Sequence, residues 1–136
     1  MSAFRKVTDS LSVSPQIALG DMAVAAAEGF RLVINNRPDG EDAGQPTSVE
    51  MAAAAQAVGL AYAHIPVRGM PTPDQVARER AVMETYPGPT LAFCRSGTRS
   101  IIIWSLGEVI EGDYSRDELI VLGTQAGYDL SGVLVA

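Results

Sequence analysis

The sequence predicts a three-layer α/β/α domain built around a mainly parallel central sheet of about four strands. Short apolar runs alternate along the chain with longer segments that carry helix start and stop signals. The runs are mostly apolar, as in strands that helices cover on both faces, and a helix between consecutive strands is typical of parallel pairing. A length of 136 residues suits one domain over residues 1–136.

Composition and charge exclude several classes of function. Sixteen acidic against ten basic residues give a net charge of -6 and a pI near 4.6, which disfavours binding to nucleic acids or to anionic membranes. No apolar run approaches the ~20 residues of a membrane-spanning helix, and the N-terminal sequence lacks the apolar core of a secretory signal. One cysteine and one histidine predict no disulfide, metal site or cofactor. We therefore expect a cytoplasmic protein with no nucleic-acid or membrane partner.

The first third of the chain predicts two strands and a helix. Residues 16–19 form a short apolar run that predicts the first strand, after which Asp21 is expected to cap an alanine-rich helix over 21–28. Residues 30–35 are rich in β-branched and aromatic side chains and predict a buried strand. The stretch 35–46 holds Pro, Gly, Asn and Asp at positions that sustain neither periodicity, and it predicts a loop.

The remainder of the chain predicts four helices and two strands. The helices over 48–58, 73–86 and 117–126 are each preceded by a capping box, in which a Ser or Thr is followed three residues later by Glu or Gln. The apolar runs 60–67 and 90–93 predict the two strands. The very apolar segment 100–110 predicts the remaining helix.

The only cysteine, Cys94, lies directly after the predicted strand 90–93 and before a helix. In open parallel sheets, ligands bind beyond the carboxyl ends of the strands. A tight loop there can turn backbone N–H groups inward to hold an anion, and the first turn of the helix adds further N–H groups. A thiol in that field, beside Arg95 and Arg99, should ionise readily. We expect Cys94 to be the catalytic nucleophile and Arg99 its charged catalytic partner.

The residues around the cysteine predict a cradle for an anionic substrate. Gly97 supplies backbone freedom for the turn, and Ser100 is placed to hydrogen-bond the sulfur. A lone cysteine is more often a buried, inert residue, but the strand-loop-helix context and the flanking side chains favour a functional role. The expected anion-binding residues of this loop are Arg95, Ser96, Gly97, Thr98 and Ser100.

The loop and its surroundings resemble two known families. The segment CRSGTRS, from Cys94 to Ser100, resembles the active loop of rhodanese-type sulfurtransferases, in which a six-residue loop opens with the cysteine that forms a persulfide. Over about residues 10–130, the segments VINNRPDGED, AYAHIPV and LAFCRSGTRS resemble, in order and spacing, the phosphatase-like domain family named after beta-lactamase hydrolase-like proteins. This resemblance implies a protein-tyrosine-phosphatase-like fold of the dual-specificity type, and either phosphatase or sulfurtransferase activity.

Loop length bears on the choice between these two chemistries. Protein tyrosine phosphatases separate the cysteine from the arginine by five residues, whereas four residues separate Cys94 from Arg99. Phe93 stands where those enzymes usually have a histidine, and Ser100 stands at their arginine position. A loop one residue shorter makes a smaller cradle, which suits a sulfane sulfur better than a phosphoryl group with its three equatorial oxygens.

A general acid is the second criterion, because phosphatases of this type protonate the leaving oxygen. The expected position, after the strand that precedes the cysteine strand, holds Arg68, and the nearby Asp74 lies in the first turn of a helix. Both departures favour a sulfurtransferase that carries sulfane sulfur as a Cys94 persulfide. A cysteine-dependent phosphatase with a phosphocysteine intermediate is the alternative, and a non-catalytic anion or redox sensor is a further one.

A second polar cluster, residues 36–42, also follows a strand and is expected at the same edge of the sheet. Arg37 and Asp39 are the preferred candidates here for the substrate site, with Arg37 binding the anion, and Asp39, Glu41 or Asp42 could serve as an acid. The alternative is a simple polar turn. His64 lies inside a predicted strand, where a hydrogen-bonded structural role is more common than catalysis. The expected partner is a small anionic substrate, either a sulfane-sulfur donor or a phosphoester, and a persulfide-metabolising enzyme is a candidate protein partner.

Overall fold

The structure, a computed structural model, describes residues 4–134. Within that range the chain forms five strands and five helices. None of the helices in this part is long and apolar enough to cross a membrane. In chain order the elements are β1 (Arg5–Lys6), β2 (Leu11–Ser14), α1 (Asp21–Ala27), β3 (Leu32–Asn35), α2 (Ser48–Ala57), β4 (Ala61–His64), α3 (Pro73–Thr85), β5 (Thr90–Phe93), α4 (Thr98–Glu111) and α5 (Arg116–Ala126).

The strands form one sheet in the order β1-β2-β5-β3-β4. All neighbours pair in parallel except β1 and β2, which form an antiparallel pair at one edge. The turn between those two strands is held by the Thr8 side chain, whose Oγ1 accepts from the N–H groups of Ser10 and Leu11, both at 3.1 Å. The predicted mainly parallel sheet is confirmed, with this edge pair bringing the strand count to five.

Two hydrophobic clusters, one on each face of the sheet, confirm the three-layer architecture. On one face, α1 and α2 cover the inward side chains of β3 and β5, including Val33, Leu91 and Phe93. On the other face, α3, α4 and α5 pack over Ile34, Ala92 and the apolar residues of β2. Alternate residues of β3 and β5 therefore serve opposite cores, which explains the three consecutive apolar residues in each strand, 32–34 and 91–93.

The prediction of a first strand over 16–19 is wrong. The strand of this region is β2, where Ser12 and Ser14 alternate with apolar residues and all four residues are buried. Pro15 follows immediately and has no N–H to continue the ladder, so the strand ends at Ser14. The serines conceal β2 in the sequence, because an all-apolar run is the stronger local signal. Residues 16–19 instead form an irregular segment that leads into α1.

Helix boundaries largely follow their sequence signals. The three predicted capping boxes are present, at Thr47 with Glu50, Thr72 with Gln75, and Ser115 with Glu118. Asp21 is not a cap as predicted, because α1 begins at that residue and its carboxylate accepts the Ala18 N–H at 2.8 Å. Helix α4 begins at Thr98, two residues before the predicted start, directly after Gly97.

The register aligns the carboxyl ends of the four parallel strands. Phe93 pairs with both Ser14 and Asn35, and Asn35 pairs with His64, so these last strand residues lie side by side. The following loops therefore leave the sheet at one level. The cysteine loop leaves from β5, between the loops that follow β2 and β3.

Candidate active site

Cys94 is the first residue after β5 and is fully buried. Its backbone N–H donates to the Ser14 carbonyl at 3.4 Å, which continues the parallel ladder by one residue. Its Sγ accepts a hydrogen bond from the Gly97 N–H at 3.1 Å. The sulfur therefore lies under the loop that closes between β5 and α4, with a backbone donor directed at it.

The carbonyl groups of the loop are held on its outer side. The Arg95 carbonyl accepts from the Gln16 N–H at 3.2 Å, and the Ser96 carbonyl accepts from the Tyr128 hydroxyl at 2.8 Å. In a trans peptide the C=O and N–H point in opposite directions. A bond that fixes the Ser96 carbonyl on Tyr128 therefore directs the Gly97 N–H away from Tyr128. For Gly97 that direction is toward the sulfur. The structure shows this inward direction for one N–H of the loop, that of Gly97.

Gly97 is required at its position in the loop. Its φ of +93° lies in the left-handed region, and a Cβ there would overlap the Tyr128 hydroxyl. Helix α4 begins at the next residue, so its N-terminal N–H groups and the positive end of its dipole lie at the loop. The Ser96 hydroxyl donates to Thr98 Oγ1 at 3.0 Å and accepts the Thr98 N–H at 3.3 Å, which closes the turn.

Arg99, on the first turn of α4, reaches out of the loop to two partners. Its Nη1 and Nη2 donate to the two carboxylate oxygens of Glu41, each at 2.8 Å, and Nη1 also donates to the Val67 carbonyl at 2.8 Å. The Glu41 carboxylate raises the pKa of the Arg99 guanidinium, and the charge of the Cys94 sulfur adds to that rise.

Glu41 joins the two predicted arginines. Besides Arg99 it accepts from Arg37 Nε at 2.9 Å, although it is 58 residues from Arg99 in the chain. Its side chain is one quarter exposed. Hydrogen bonds from Arg99, and then from Arg37, outweigh the effect of burial and lower the Glu41 pKa to about 2. The sequence analysis considered Glu41 only as a candidate acid and did not predict that it joins the two arginines. Its position four residues after Arg37 is a local signal for the contact with Arg37, and no such signal exists for the contact with Arg99.

Arg37 is buried, with internal partners for every side-chain nitrogen. In addition to Glu41, its Nη2 donates to Asp42 Oδ2 at 2.6 Å and its Nη1 donates to Gln16 Oε1 at 2.9 Å. Its side chain is 3% exposed. The predicted anion-binding arginine is thus placed beside the cysteine loop through Gln16 and Glu41, with its donors already engaged.

The other predicted residues have mixed placements. Ser100 is buried and its hydroxyl has no hydrogen-bond partner among the described residues, so the expected bond from Ser100 to the sulfur is wrong. Arg95 and Thr98 are exposed on the loop. Asp39 is exposed and accepts the Ser48 N–H at 2.9 Å, at the first residue of α2. His64 Nε2 lies 2.8 Å from the Arg37 carbonyl, a hydrogen-bonded position in accord with the structural role.

Two buried polar side chains, Asn36 and Glu79, form a hydrogen-bonded pair next to the site. Asn36 Nδ2 donates to Glu79 Oε1 at 2.8 Å and to the Ile65 carbonyl at 3.0 Å. The Asn36 backbone also joins Phe93, the residue before the cysteine, to Val67, the residue that holds Arg99. Burial raises the Glu79 pKa to about 8. The sequence contains no local signal for this pair, because a glutamate on α3 is typical of a solvated helix face.

Within residues 4–134, no three His, Cys, Asp or Glu side chains form a cluster that could hold a metal ion. The structure places at the site the Cys94 sulfur, the Gly97 N–H, the N-terminus of α4, and the Arg99 guanidinium with its Glu41 partner.

Sequence comparison relates this chain to one family. The family profile described as beta-lactamase hydrolase-like protein, phosphatase-like domain, matches residues 3–111. A beta-lactamase hydrolase-like protein from Xylella fastidiosa (strain Temecula1) is 40% identical over 126 residues, and the counterpart from Agrobacterium fabrum is 34% identical over 126 residues. The alignments cover 91% and 92% of this chain, which spans only 29% of the length of each of these relatives.

A structural comparison gives the same relationship. A candidate phosphatase from Neisseria meningitidis superposes with a TM-score of 0.85 at 30% identity, over 97% of this chain and 94% of that one. These similarities confirm the family resemblance and the phosphatase-like fold. They favour the phosphatase alternative and lend no support to the rhodanese-like interpretation of the loop or to sulfurtransferase chemistry.

Proposed function

Because this chain belongs to the phosphatase-like domain family of beta-lactamase hydrolase-like proteins, we propose that it is a cysteine-dependent phosphatase acting on a small anionic phosphoester. The observation that carries the proposal is the hydrogen bond of 3.1 Å from the Gly97 N–H to Cys94 Sγ at the start of α4. A donor directed at sulfur stabilises the thiolate, which is the nucleophilic form.

The reaction proceeds in two displacements on phosphorus. The Cys94 thiolate attacks phosphorus, the bond from phosphorus to the leaving oxygen breaks, and that oxygen departs with the electron pair and takes a proton from water. A water molecule then attacks the phosphocysteine, the S–P bond breaks, and inorganic phosphate and the thiolate are released with one proton. No redox partner or cofactor is required by this sequence of steps.

Arg99 is the proposed catalytic arginine. Its planar fork can present two parallel N–H donors to phosphoryl oxygens, and negative charge on those oxygens is stabilised further at the N-terminus of α4. The same fork donates to Glu41, with each carboxylate oxygen 2.8 Å from a guanidinium nitrogen. The Glu41 carboxylate therefore holds the plane of the Arg99 guanidinium in one orientation. A phosphoryl group that binds Arg99 either displaces this carboxylate or binds next to it. Arg37 acts through Glu41 as a positioning residue.

The leaving group is the part of the substrate that the site constrains most. Glu41 has a pKa of about 2, so it is ionised at neutral pH and cannot donate a proton to a leaving oxygen. Asp39 accepts the Ser48 N–H at the first residue of α2, away from the cysteine loop in the chain. Arg68 stands where the general acid of related phosphatases is expected. We therefore propose aryl phosphates and other esters with acidic leaving groups as the preferred substrate class.

Hydrolysis of a series of aryl phosphates tests this function. We expect turnover by the parent protein, a steep increase in rate as the leaving phenol becomes more acidic, and loss of turnover in Cys94→Ser. Acid quenching during turnover should trap one phosphate on Cys94, measured by intact mass. Ser131→Ala, an exposed serine remote from the loop in sequence, is the matched control and should keep parental turnover. Turnover that persists in Cys94→Ser would refute the proposal.

Sulfur transfer is the second candidate, and one observation favours it. Only four residues separate Cys94 from Arg99, which leaves a small loop for a phosphoryl group. Under that alternative, the Cys94 thiolate should attack the outer sulfur of thiosulfate and release sulfite, which adds the mass of one sulfur atom to Cys94. Cyanide should then remove that sulfur as thiocyanate and restore the thiolate. Appearance of this adduct without aryl phosphate hydrolysis would assign the protein to sulfane-sulfur chemistry, with a persulfide-metabolising enzyme as the expected partner.

A further inference from the structure

Tyr128 lies after α5 in the chain and on the cysteine loop in space. Its hydroxyl donates to the Ser96 carbonyl at 2.8 Å, and the same peptide unit directs the Gly97 N–H to Cys94 Sγ at 3.1 Å. We propose that Tyr128 is a positioning residue for the nucleophile, which fixes the Ser96–Gly97 peptide so that its N–H stays on the sulfur. The effect on turnover rests on the proposed phosphatase function, whereas the effect on the thiol does not.

The Tyr128 hydroxyl fixes the direction of the Gly97 N–H through the peptide that joins Ser96 to Gly97. The peptide is a rigid plane, so the direction of the Ser96 carbonyl fixes the direction of the Gly97 N–H. Gly97 has no Cβ and a φ of +93°, a combination that allows peptide rotation which other residues would resist. The peptide therefore needs an external bond to hold its orientation, and Tyr128 supplies that bond on the side opposite the sulfur.

Tyr128 is itself held firmly. It is 8% exposed, its backbone N–H donates to the Gly123 carbonyl at 2.8 Å, and the Arg5 guanidinium lies 5.1 Å from the centre of its ring. Burial raises the Tyr128 pKa, and the charge of the Cys94 sulfur adds to this rise while Arg5 opposes it. The Tyr128 hydroxyl consequently keeps its proton at neutral pH and remains a hydrogen-bond donor.

Removal of this one hydroxyl tests the proposal. Tyr128→Phe keeps the ring, and hence its packing against Arg5 and Gly97, but leaves the Ser96 carbonyl without its partner. Because the protein has a single cysteine, thiolate formation can be followed by ultraviolet absorbance against pH, with Cys94→Ser in each background as the blank. We expect the titration midpoint to rise by about one pH unit, which is a tenfold smaller thiolate fraction below the midpoint.

Turnover and folding provide the remaining readouts. At a pH below the midpoint, aryl phosphate turnover by Tyr128→Phe should fall about tenfold, and it should recover toward the parental rate at higher pH. A purely structural role would lower the melting temperature and reduce turnover equally at every pH. Tyr86→Phe, at a tyrosine that is 46% exposed, is the matched control and should leave midpoint and turnover unchanged.

The thiol titration decides the proposal independently of the phosphatase function. A parental midpoint in folded Tyr128→Phe would overturn the role assigned to Tyr128, whatever the turnover. A raised midpoint in a protein that hydrolyses no aryl phosphate would support the positioning role and refute the phosphatase proposal. If the melting temperature of Tyr128→Phe is too low for the thiol titration, NMR of the parent protein with an isotope label at Gly97 provides the measurement. Its amide proton resonance should move with thiolate formation, and a resonance insensitive to it would overturn the proposal.

Discussion

At the scale of single residues, the site depends on one carboxylate between two guanidinium groups. Glu41 accepts from Arg37 and from Arg99, and Arg99 in turn donates to the Val67 carbonyl. A guanidinium held at three points keeps one orientation, which reduces the rotational freedom that a substrate would otherwise have to remove. The same contacts mean that Arg99 has both a structural and a proposed catalytic role, and a conservative substitution can separate the two.

Arg99→Lys keeps the positive charge but loses the planar fork. We expect phosphate and sulfate to bind about tenfold to a hundredfold more weakly, because one charge-assisted hydrogen bond contributes ~1.5–3 kcal/mol. Aryl phosphate turnover should fall by a similar factor. Arg95→Lys, on the exposed side of the loop, is the matched control and should lose less in both measurements. Parental anion affinity and turnover, combined with a markedly lower melting temperature, would make Arg99 a structural residue only.

Glu79 predicts a pH dependence of stability. Its pKa is about 8 in the folded protein against an ordinary value of 4.5. Between these values the folded state keeps a proton that the unfolded state has lost, so the free energy of unfolding falls as the pH rises from about 4.5 to about 8. Glu79→Gln supplies a neutral group of the same shape and should flatten that slope, as measured by urea denaturation at several pH values.

A matched variant on the same helix separates this effect from general charge removal. Glu84 is exposed near the end of α3, and Glu84→Gln should retain the parental slope. An unchanged slope in Glu79→Gln would show that the Glu79 carboxyl is ionised in the folded protein. The other group with a strongly shifted pKa, Glu41, acts at a pH below this window, because its shift runs from 4.5 down to about 2.

At the scale of elements, α3 presents a site residue from a well-defined helix start. The Thr72 hydroxyl oxygen accepts the Gln75 N–H, and the Gln75 side-chain oxygen accepts the Thr72 N–H. Pro73 fits the first helical position, where its missing N–H costs no hydrogen bond. Glu79 lies two turns further along the same helix, so the capped start determines where it meets Asn36. The capping box therefore contributes to the site as well as to the stability of the helix.

Thr72→Ala should lower the free energy of unfolding by about 1 kcal/mol, because an N-cap hydroxyl satisfies an otherwise unpaired helical N–H. Urea denaturation measures this change. Thr85→Ala is the matched control at the other end of α3, where the hydroxyl donates only to the Ala81 carbonyl, and it should cost less. Equal losses for the two variants would mean that the cap adds nothing beyond the removal of a hydroxyl.

At the scale of the whole molecule, the site lies where both cores meet the carboxyl edge of the sheet. Phe93 belongs to the core under α1 and α2, whereas Ile101 and Tyr128 belong to the core under α3, α4 and α5. The cysteine loop joins these two halves. An anion bound in the loop should consequently stabilise the native state as a whole, since only the assembled fold brings the loop, α4 and Arg99 together.

Inorganic phosphate, the product of the proposed reaction, should therefore raise the melting temperature. At a concentration of one hundred times Kd the expected stabilisation is about 2.7 kcal/mol, measurable by thermal unfolding. Chloride at equal ionic strength is the control for screening. In Arg99→Lys the phosphate effect should shrink in proportion to the loss of affinity. Identical shifts in phosphate and chloride would indicate that the loop binds no phosphate.

The sequence by itself determined the features that depend on neighbouring residues. The three capping boxes, the strand β5 and the turn from Cys94 into α4 are all encoded within a few positions, because a cap or a turn is completed by residues three or four apart. The mainly parallel sheet also followed, since the alternation of apolar runs with helices leaves few other arrangements. Strand β2 was missed because its buried serines interrupt the local apolar signal.

Only the tertiary structure decided how the cysteine loop is supported. Glu41 reaches Arg99 across 58 residues of chain, Glu79 reaches Asn36 across 43, and Tyr128 reaches Ser96 across 32. None of these contacts leaves a periodic pattern in the sequence. They arise because the register of four parallel strands brings separate loops to one edge, and because two helices pack so that single polar side chains meet that edge. Local chemistry placed the nucleophile, and long-range packing placed the groups that orient it.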